Sequence, residues 1–330
     1  KAGTGEVDLQ ARSLAFNNLT FLRENEKDGK FETHLWRIAK GAHVALYPNM
    51  NAADPVWAKL MRDVRFRRAL SLGVDREAVN ESLYFGLAIM GNNTMLPESP
   101  LFREEYQKQW AEYDPDLASE LLDEIGLTEY NDDDIRLMPD GRPLEIIIET
   151  AGEDTEQTDV LELISESWAE IGVKLYIKPS QREVFRNRIF AGQAIMSIWS
   201  GLENGIASAQ TNPEALAPRS QQQLMWPKWG QYYETSGQMG QAPDMPEALE
   251  LSALAAEWIE TDDAARKEEI WHRMLAIHAD QVYSIGVIAG VLQPVVVKHG
   301  VMNVPKEGIY NWDPGAHFGI YRPDTFWLDR

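Results

Sequence analysis

The sequence contains no cysteine, so disulfide bonds and thiolate metal sites are excluded. This absence is compatible with an exported protein and with a cytosolic one. Basic residues are also scarce: 31 lysines and arginines stand against 52 aspartates and glutamates, which gives a formal net charge of −21. Binding to nucleic-acid phosphates requires clustered Lys and Arg. The composition therefore predicts a soluble protein without a nucleic-acid partner.

A long apolar run is missing as well. The longest, Val282 to Val297, is shorter than the roughly 20 residues that a membrane-spanning helix needs, and it contains Gln293 and Pro294. We interpret it as buried strands. Residues 1–8 show no signal peptide and no lipidation motif, so the chain is expected to begin either as a mature product or as a fragment.

Motifs of the common enzyme classes are absent too. The sequence has no nucleophile elbow, Walker loop, dinucleotide fingerprint or His-Glu-x-x-His pair. His272 and His278 lie six residues apart on a predicted helix and therefore on different faces, so no shared metal is expected. The acidic run Asp132 to Asp134 lacks the glycine of a calcium-binding loop, because Leu137 stands in its place. No catalytic residue, metal or cofactor is predicted.

The most informative segment that is present covers residues 63–86, DVRFRRALSLGVDREAVNESLYFG. It predicts two helices that Gly73 separates, with Asp63 and Asp75 at the N-cap positions and Gly86 at the end. Apolar residues form one stripe of the first helix, and its three arginines are expected on the solvent side. These are Arg65, Arg67 and Arg68. The first and third of them lie three residues apart and are expected to make structural ion pairs.

The rest of the chain predicts further alternation of strands and helices. Asp114 and Pro115 begin a leucine-rich helix that Gly126 ends. Strand, helix and strand follow within about 35 residues, which predicts a parallel βαβ unit with a right-handed crossover. The predicted elements after residue 126 are a strand at 144–149, a helix at 158–171, strands at 173–178 and 194–199, helices at 182–190, 246–259 and 262–283, and strands within 285–297.

The run Arg-x-x-Arg-Ala-Leu-Ser-Leu-x-x-Asp-Arg, ending in Tyr-x-Gly, resembles the hallmark segment of the ABC-transporter extracellular solute-binding proteins, family 5, which includes the dipeptide and oligopeptide receptors. The Gly5-Glu6-Val7-Asp8 turn and the helix that ends at Gly126 are similar to family features as well. The resemblance implies an α/β fold of the periplasmic binding protein type, class II or cluster C, with mixed sheets and two lobes joined by a hinge.

In that family the Gly-Glu-Val-Asp turn lies in the middle of the polypeptide, so we expect this chain to lack an N-terminal portion. It would then hold one complete lobe and part of the other. Residues 1–52 are expected to be a remnant of the first lobe, residues 53–284 the second lobe, and residues 285–330 the return to the first. The polar segment from Asn49 to Asp54 is expected to carry the first crossing.

The candidate ligand site begins at Trp199, where an apolar strand ends at a polar loop. In the family a tryptophan at this place lines the cleft, and a nearby aspartate pairs with the amino terminus of the ligand. Here Leu202 stands near the acidic position, and Glu203 is displaced by about one residue. Glu203 is a candidate counter-ion for a cationic ligand. The structural alternative is a core tryptophan and a solvated carboxylate.

Aromatic residues in the long segment from Glu203 to Asp244, which lacks periodicity, are weaker candidates. They could stack on a ligand or fix the loop to the protein body. Asn92 and Asn93 lie where turn residues are expected in any case. The predicted ligand-binding residues are Trp199, Glu203, Asn204, Trp226, Trp229, Tyr84, Asn92 and Asn93.

The resemblance implies a receptor that captures an oligopeptide or dipeptide and delivers it to the membrane permease of an ABC importer. It also implies export to the periplasm or the cell surface, and we expect a monomer. An oligosaccharide or opine receptor of the same family is the first alternative. A carbohydrate hydrolase is the alternative from another class, since the 52 acidic residues would allow many carboxylate pairs.

Overall fold

The computed structural model of the protein describes residues 1–153 and 155–329. Two sheets organise this part of the chain, together with a two-stranded ribbon near residue 329. The strands are β1 Leu9–Gln10, β2 Phe31–Arg37, β3 Val44–Pro48, β4 Ile89–Met90, β5 Glu145–Thr150, β6 Lys174–Pro179, β7 Met196–Trp199, β8 Ile285–Ala289, β9 Leu292–Lys298, β10 Val301–Met302 and β11 Trp327–Leu328.

Helices connect many of the strands and pack against both sheets. They are α1 Leu19–Gly29, α2 Pro55–Arg62, α3 Val64–Leu72, α4 Arg76–Tyr84, α5 Glu104–Lys108, α6 Pro115–Glu124, α7 Glu156–Ala169, α8 Arg182–Phe190, α9 Pro227–Glu234, α10 Pro246–Glu260 and α11 Ala264–Gln281. Short 3-10 helices lie at Phe16–Asn18, Pro213–Leu216, Gly319–Tyr321 and Pro323–Thr325. In the described part of the chain, no helix is both long and apolar enough to span a membrane.

The larger sheet has six strands in the order β4-β8-β3-β7-β5-β6. Strands β5 and β6 are parallel, in register from the pair Glu145 and Lys174 to the pair Thr150 and Pro179, and α7 connects them. This confirms the predicted βαβ unit. Strand β7 extends the parallel part on the other side of β5, whereas β3 runs antiparallel to both β7 and β8. The sheet is therefore mixed, as expected.

The smaller sheet has the order β1-β9-β2, with antiparallel pairing throughout. The chain leaves it after β2 and enters the larger sheet as β3; it returns from β8 to β9. The two crossings are thus residues 38–43 and 290–291. The first crossing lies earlier than the expected segment from Asn49 to Asp54, which packs among the elements around the larger sheet. We call these elements together with the larger sheet the larger unit. There Asn49 Nδ2 donates to the carbonyl oxygen of Ala194 at 2.9 Å, and Asn51 Oδ1 accepts from the backbone N–H of Lys228 at 2.9 Å.

The predicted helix caps in residues 63–86 are confirmed. The Asp63 carboxylate accepts from the backbone N–H of Arg65, and the Asp75 carboxylate accepts from the backbone N–H of Ala78. Gly73 is the C-cap of α3. The chain turns through a left-handed Phe85 at the end of α4, directly before Gly86.

The predicted exposure of Arg67 is wrong, because its side chain is completely buried. Its Nε donates to the carbonyl oxygen of Gln281 at 2.8 Å, and its Nη1 donates to the carbonyl oxygen of Met61 at 2.7 Å. The guanidinium also lies over the ring of Tyr283, 5.1 Å from its centroid. Segments that are remote in sequence cover this side of α3, and the guanidinium supplies hydrogen-bond donors to their buried carbonyl oxygens.

The ion pairs expected of the two other arginines are confirmed. Arg65 Nη2 lies 2.8 Å from Asp63 Oδ2, and Arg68 Nη2 lies 2.6 Å from Asp280 Oδ1. The segment from Glu203 to Asp244, predicted without regular structure, contains α9 and a 3-10 helix. Aromatic side chains of that segment anchor it to the core of the larger unit.

Candidate functional site

A cavity of about 650 Å³ lies beside the first crossing, which meets the second where the N–H of Ile38 donates to the carbonyl oxygen of Val291 at 2.9 Å. Its wall takes residues from the first crossing, from the loop after β7, from β9 and from the segment between β10 and β11, so parts of both sheets contribute. Charged and polar side chains on this wall include Arg12, Lys40, Arg182, Ser200, Glu203 and His317. The cavity is therefore built from the part of the chain that connects the two sheets.

Backbone hydrogen bonds hold the first crossing against the loop after β7. The N–H of Gly41 donates to the carbonyl oxygen of Leu202 at 2.8 Å, and the N–H of Gly201 donates to that of Ala42 at 2.8 Å. A Cβ atom on Gly201 would lie 2.1 Å from Asn93 Oδ1 and 2.6 Å from the backbone nitrogen of Ala42. Only glycine permits this approach, which fixes the positions of the side chains that follow.

Lys40 and Glu203 form an ion pair across this contact. Lys40 Nζ lies 3.0 Å from Glu203 Oε2 and donates to Ser200 Oγ at 3.0 Å. Tyr47 supports the same loop from the sheet, since its hydroxyl donates to the carbonyl oxygen of Ser200 at 2.7 Å. Burial raises the pKa of Tyr47 well above its usual value, so the hydroxyl stays a donor. The Glu203 carboxylate is therefore held in place and already has a cationic partner.

The segment between β10 and β11 forms the opposite wall. Asn311 Nδ2 donates to the carbonyl oxygen of Glu203 at 2.6 Å. The rings of Tyr310 and His317 stack with centroids 4.7 Å apart. Burial lowers the pKa of His317, and Arg12 lowers it further, so the imidazole is neutral at pH 7. Trp312 completes this wall and is 65% exposed.

Trp199 lies next to the cavity, and Arg182 stands between the two. The Arg182 guanidinium lies 5.1 Å from the centroid of the Trp199 indole, and the Phe185 ring stacks on the same indole at 5.9 Å. Arg182 Nε also pairs with Glu153 Oε1 at 2.7 Å. Of the described residues, those that line the cavity include Arg182 but not Trp199. A ligand would meet the arginine before the tryptophan.

Of the other residues that the sequence predicts at the site, Asn204 lies nearest. Its Oδ1 accepts from the backbone N–H of Ile206 at 3.1 Å and shapes the loop after Glu203. Asn93 braces the same loop: its Oδ1 accepts from the backbone N–H of Leu202 at 2.8 Å, and its Nδ2 donates to Ser284 Oγ at 3.0 Å. Both side chains form hydrogen bonds with other groups of the protein, and neither lines the cavity.

The remaining predicted residues lie away from the cavity. Trp226 and Trp229 are completely buried and stack on each other at 6.2 Å in the core of the larger unit. Tyr84 is buried too, and its hydroxyl donates to Glu156 Oε1 at 2.6 Å. Asn92 Nδ2 donates to the carbonyl oxygen of Gln109 at 2.6 Å. The structure gives these four residues structural contacts.

Sequence reasoning missed most residues of the cavity, among them Arg12, Lys40, Asn311 and Trp312. Each lies in a segment that carries no motif. Only the topology of the sheets would have indicated them, because residues that connect a strand of one sheet to a strand of the other lie where the two sheets meet. That signal requires the strand pairing, which the periodicity of the sequence does not supply.

Carboxylates are scarce on the cavity wall. Among the described residues that line it, Glu203 is the only carboxylate, and Lys40 neutralises it. Glycoside hydrolysis needs two carboxyl groups on opposite sides of the scissile bond. The described residues also hold no cluster of three or more potential metal ligands among His, Asp and Glu.

The model of a protein family described as "Bacterial extracellular solute-binding proteins, family 5 Middle" matches residues 2–219. Heme-binding protein A of Haemophilus influenzae is 30% identical over 207 residues, which are 62% of this chain and 34% of that protein. The dipeptide-binding protein of Escherichia coli is 28% identical over 152 residues, which are 46% of this chain and 26% of that protein.

Solved structures resemble the whole of this chain. An oligopeptide-binding protein OppA matches 100% of it with a TM-score of 0.78 and 30% identity, over 54% of the OppA chain. The periplasmic binding protein MelB of Agrobacterium fabrum C58, in complex with stachyose, matches 99% of it with a TM-score of 0.76 and 18% identity, over 49% of the MelB chain. At 18% identity the second likeness shows the fold alone. The present chain spans about half the length of these two structures.

Proposed function

Since the chain belongs to family 5 of the bacterial extracellular solute-binding proteins, we propose that the protein is the solute receptor of an ABC importer and holds its ligand in the cavity at the two crossings. The observation that carries this proposal is the position of the cavity. Its wall combines Arg12 and Asn311, from segments beside the smaller sheet, with Ser200 and Glu203 from the loop that follows β7 of the larger sheet. The fold is of the periplasmic binding protein type.

A cavity of this construction couples ligand binding to lobe closure. The crossings at residues 38–43 and 290–291 are short, so bending there changes the distance between the two sheets. A ligand that contacts both walls stabilises the closed arrangement over the open one by its differential affinity. The closed, loaded receptor would then dock on the membrane permease, and no chemical step on the ligand is needed.

We propose an oligopeptide or dipeptide as the ligand. The names of similar proteins support this class, because the dipeptide-binding protein of E. coli and OppA are both peptide receptors by name. The wall offers peptide groups fixed partners: the Lys40 ammonium, the Glu203 carboxylate and the Asn311 amide. Export to the periplasm or cell surface and a monomeric state belong to the same proposal.

An oligosaccharide is the second candidate, and the exposed Trp312 favours it. Sugar rings stack on flat aromatic faces, and the Trp312 indole is the most exposed of the large aromatic side chains on this wall. Replacing Trp312 with alanine removes one stacked ring and would lower the affinity for an oligosaccharide at least about tenfold. A peptide held by backbone hydrogen bonds would lose less.

Calorimetry and small-angle scattering on the full-length protein test the proposal. The probes are a pool of di- to pentapeptides, neutral oligosaccharides and haem. We expect one of them to bind and to reduce the radius of gyration of the protein. Glu203→Arg places a bulky cation in the cavity and should weaken binding at least about tenfold. Glu183→Arg on the exposed side of α8 is the matched control and should bind normally. Absence of binding and closure with every probe, or turnover of a bound sugar, would contradict the receptor function.

A further inference from the structure

One aromatic side chain reaches from the region of the smaller sheet into the larger unit. Phe16 belongs to the 3-10 helix between β1 and α1 and is only 5% exposed. Its ring packs against two rings at the end of α4, with centroids 6.0 Å apart for Tyr84 and 5.6 Å apart for Phe85. Phe16 therefore joins the two parts of the chain at a place outside the crossings.

Hydrogen bonds fix the segment that carries Phe16 to the smaller sheet. Gln293 Nε2, on β9, donates to the carbonyl oxygen of Leu14 at 2.7 Å. Asn18 Oδ1 accepts from the backbone N–H of Ala15 at 3.0 Å, which closes the turn around Phe16. Because these bonds tie the segment to β9, Phe16 moves with the smaller sheet and not with α4.

Phe85 holds a backbone conformation that is unfavourable for phenylalanine. Its φ is +55°, in the left-handed region that favours glycine, and its side chain is 57% exposed. A left-handed residue at a helix end is usually glycine. Backbone strain of this kind persists where the surrounding structure or a function requires it. Here the strained position directs an aromatic ring toward Phe16.

The ring of Phe16 lies in an incompletely filled seat. A cavity of about 40 Å³ remains between residues 15–17 and the side chains of Leu83, Glu156 and Asp159. Protein interiors hold few voids larger than a water molecule. The ring can therefore leave this seat more easily than it could leave a close-packed core.

The seat lies on the same side of the crossings as the cavity. Arg12, which precedes Phe16 in the same segment, lines the cavity, and so does His43, whose ring lies 6.2 Å from the Tyr84 ring. Dispersion attraction is short-ranged, and a gap of about 1 Å already removes up to half of it. A small bend at the crossings is thus enough to separate the rings.

We propose that Phe16, seated between Tyr84 and Phe85, is the contact that holds the two sheets in the closed arrangement when no ligand is bound; this inference rests on the closure proposed for the receptor. The rings act as a latch: they add a fixed, ligand-independent attraction between the two parts, and opening the cavity requires Phe16 to leave its seat. The strength of the latch sets the ratio of open to closed protein before a ligand arrives.

Spin-label distances in the full-length protein without ligand test the latch. Nitroxides are attached through Lys27→Cys on α1 and Glu162→Cys on α7, two exposed sites that move with the smaller sheet and with the larger unit, respectively. The 330 residues contain no other cysteine. With Phe16 intact, we expect a main population at the distance that the structure gives. Phe16→Ala should raise the ratio of open to closed protein at least about tenfold.

A second variant separates the latch from the stability of the fold. Phe85→Gly relieves the left-handed backbone, so the unfolding temperature should not fall, yet the lost ring should raise the open-to-closed ratio at least about twofold. This variant decides the question if Phe16→Ala fails to fold. Phe21→Ala is the matched control, since Phe21 is an exposed phenylalanine of α1 and should leave the distances unchanged.

The outcomes are separate from those for the receptor function, because the measurement needs no ligand. Equal distance distributions with and without the Phe16 ring refute the latch, and a loss of stability in Phe16→Ala at unchanged distances makes Phe16 a residue of a fixed joint. A parent protein without the closed population refutes the latch as well. In each case the receptor function stands. If the latch is confirmed but peptides, oligosaccharides and haem all fail to bind, the receptor function alone is refuted.

Discussion

The Nε2 atom of His43 lies 3.1 Å from Oε1 of Glu156, which joins the first crossing to the first turn of α7. The Tyr84 hydroxyl donates to the same oxygen at 2.6 Å. Burial opposes ionisation of the Glu156 carboxyl, but the His43 imidazole and the Tyr84 hydroxyl outweigh it and lower its pKa to about 2. The carboxylate is therefore more stable in the folded protein than in the unfolded chain.

Acid should weaken the fold through Glu156. A carboxyl group with a depressed pKa stabilises the fold above its ordinary pKa of 4.5, and this contribution is lost as the pH falls from 4.5 toward 2. The shift corresponds to up to about 3 kcal/mol. We expect Glu156→Gln to lower the free energy of unfolding near pH 6.5 and the difference from wild type to shrink toward pH 2. Urea unfolding at a series of pH values measures it.

Glu162→Gln is the control for this prediction, because Glu162 lies on the same helix and is exposed. It should leave the pH profile unchanged. If the difference in the free energy of unfolding between Glu156→Gln and wild type stays constant from pH 6.5 to pH 2, Glu156 stabilises the fold by its packing and not by its charge.

Replacing Arg67 should destabilise the larger unit severely. Arg67→Ala leaves the carbonyl oxygens of Met61 and Gln281 without their donor and opens a cavity beneath Tyr283. Each unsatisfied buried group costs about 1–3 kcal/mol, and the lost volume adds to that cost. We expect a loss of about 3 kcal/mol or more in chemical denaturation.

Arg65→Ala on the same helix supplies the comparison. Arg65 pairs with Asp63 at the protein surface, and exposed ion pairs contribute about 0–1 kcal/mol. Equal losses for the two variants would contradict the buried role of Arg67.

Gly201→Ala should disturb the ligand site without touching a ligand. The added Cβ would clash with Asn93 Oδ1 and the backbone nitrogen of Ala42, so the loop that carries Ser200 and Glu203 must shift. Crowding of this kind costs about 1–3 kcal/mol. Ligand affinity, measured by calorimetry below the unfolding temperature, should fall at least about tenfold, because displaced polar groups lose their alignment.

Gly3→Ala is the matched control, since its Cβ would meet the exposed ring of Phe21, which can move away. It should change ligand affinity by less than about twofold, as for surface substitutions in general. Normal ligand affinity in Gly201→Ala would show that the loop position is not part of the site.

Local sequence signals predicted much of the fold. The helices of residues 63–86, their aspartate caps and the βαβ unit depend on neighbours within one turn or one crossover, and all are confirmed. The resemblance of this segment predicted the family and the periplasmic binding protein fold, and both are confirmed. The burial of Arg67 was not predictable, because its partner Gln281 lies more than 200 residues further along the chain.

The site was less accessible from the sequence for the same reason. Glu203 was predicted, and the structure places it on the cavity wall, but Lys40, which neutralises it, comes from a crossing that no motif marks. Conversely, Trp226 and Trp229 lie in a segment without periodicity, yet they fill the core. Tertiary contacts between remote segments decide both outcomes.

The order of strands in the larger sheet also governs how the protein can fold. β8 lies between β3 and β4, and β3 lies between β8 and β7, so the centre of the sheet joins residues near 45 to residues near 285. Closing so long a loop is slow, since its entropy is lost before the contacts form. Until β8 is synthesised, β4 and the edge of β3 that faces β8 lack their partner strand. Strands β5, β6 and β7 can pair without β8, so the larger sheet should be completed only when β8 forms.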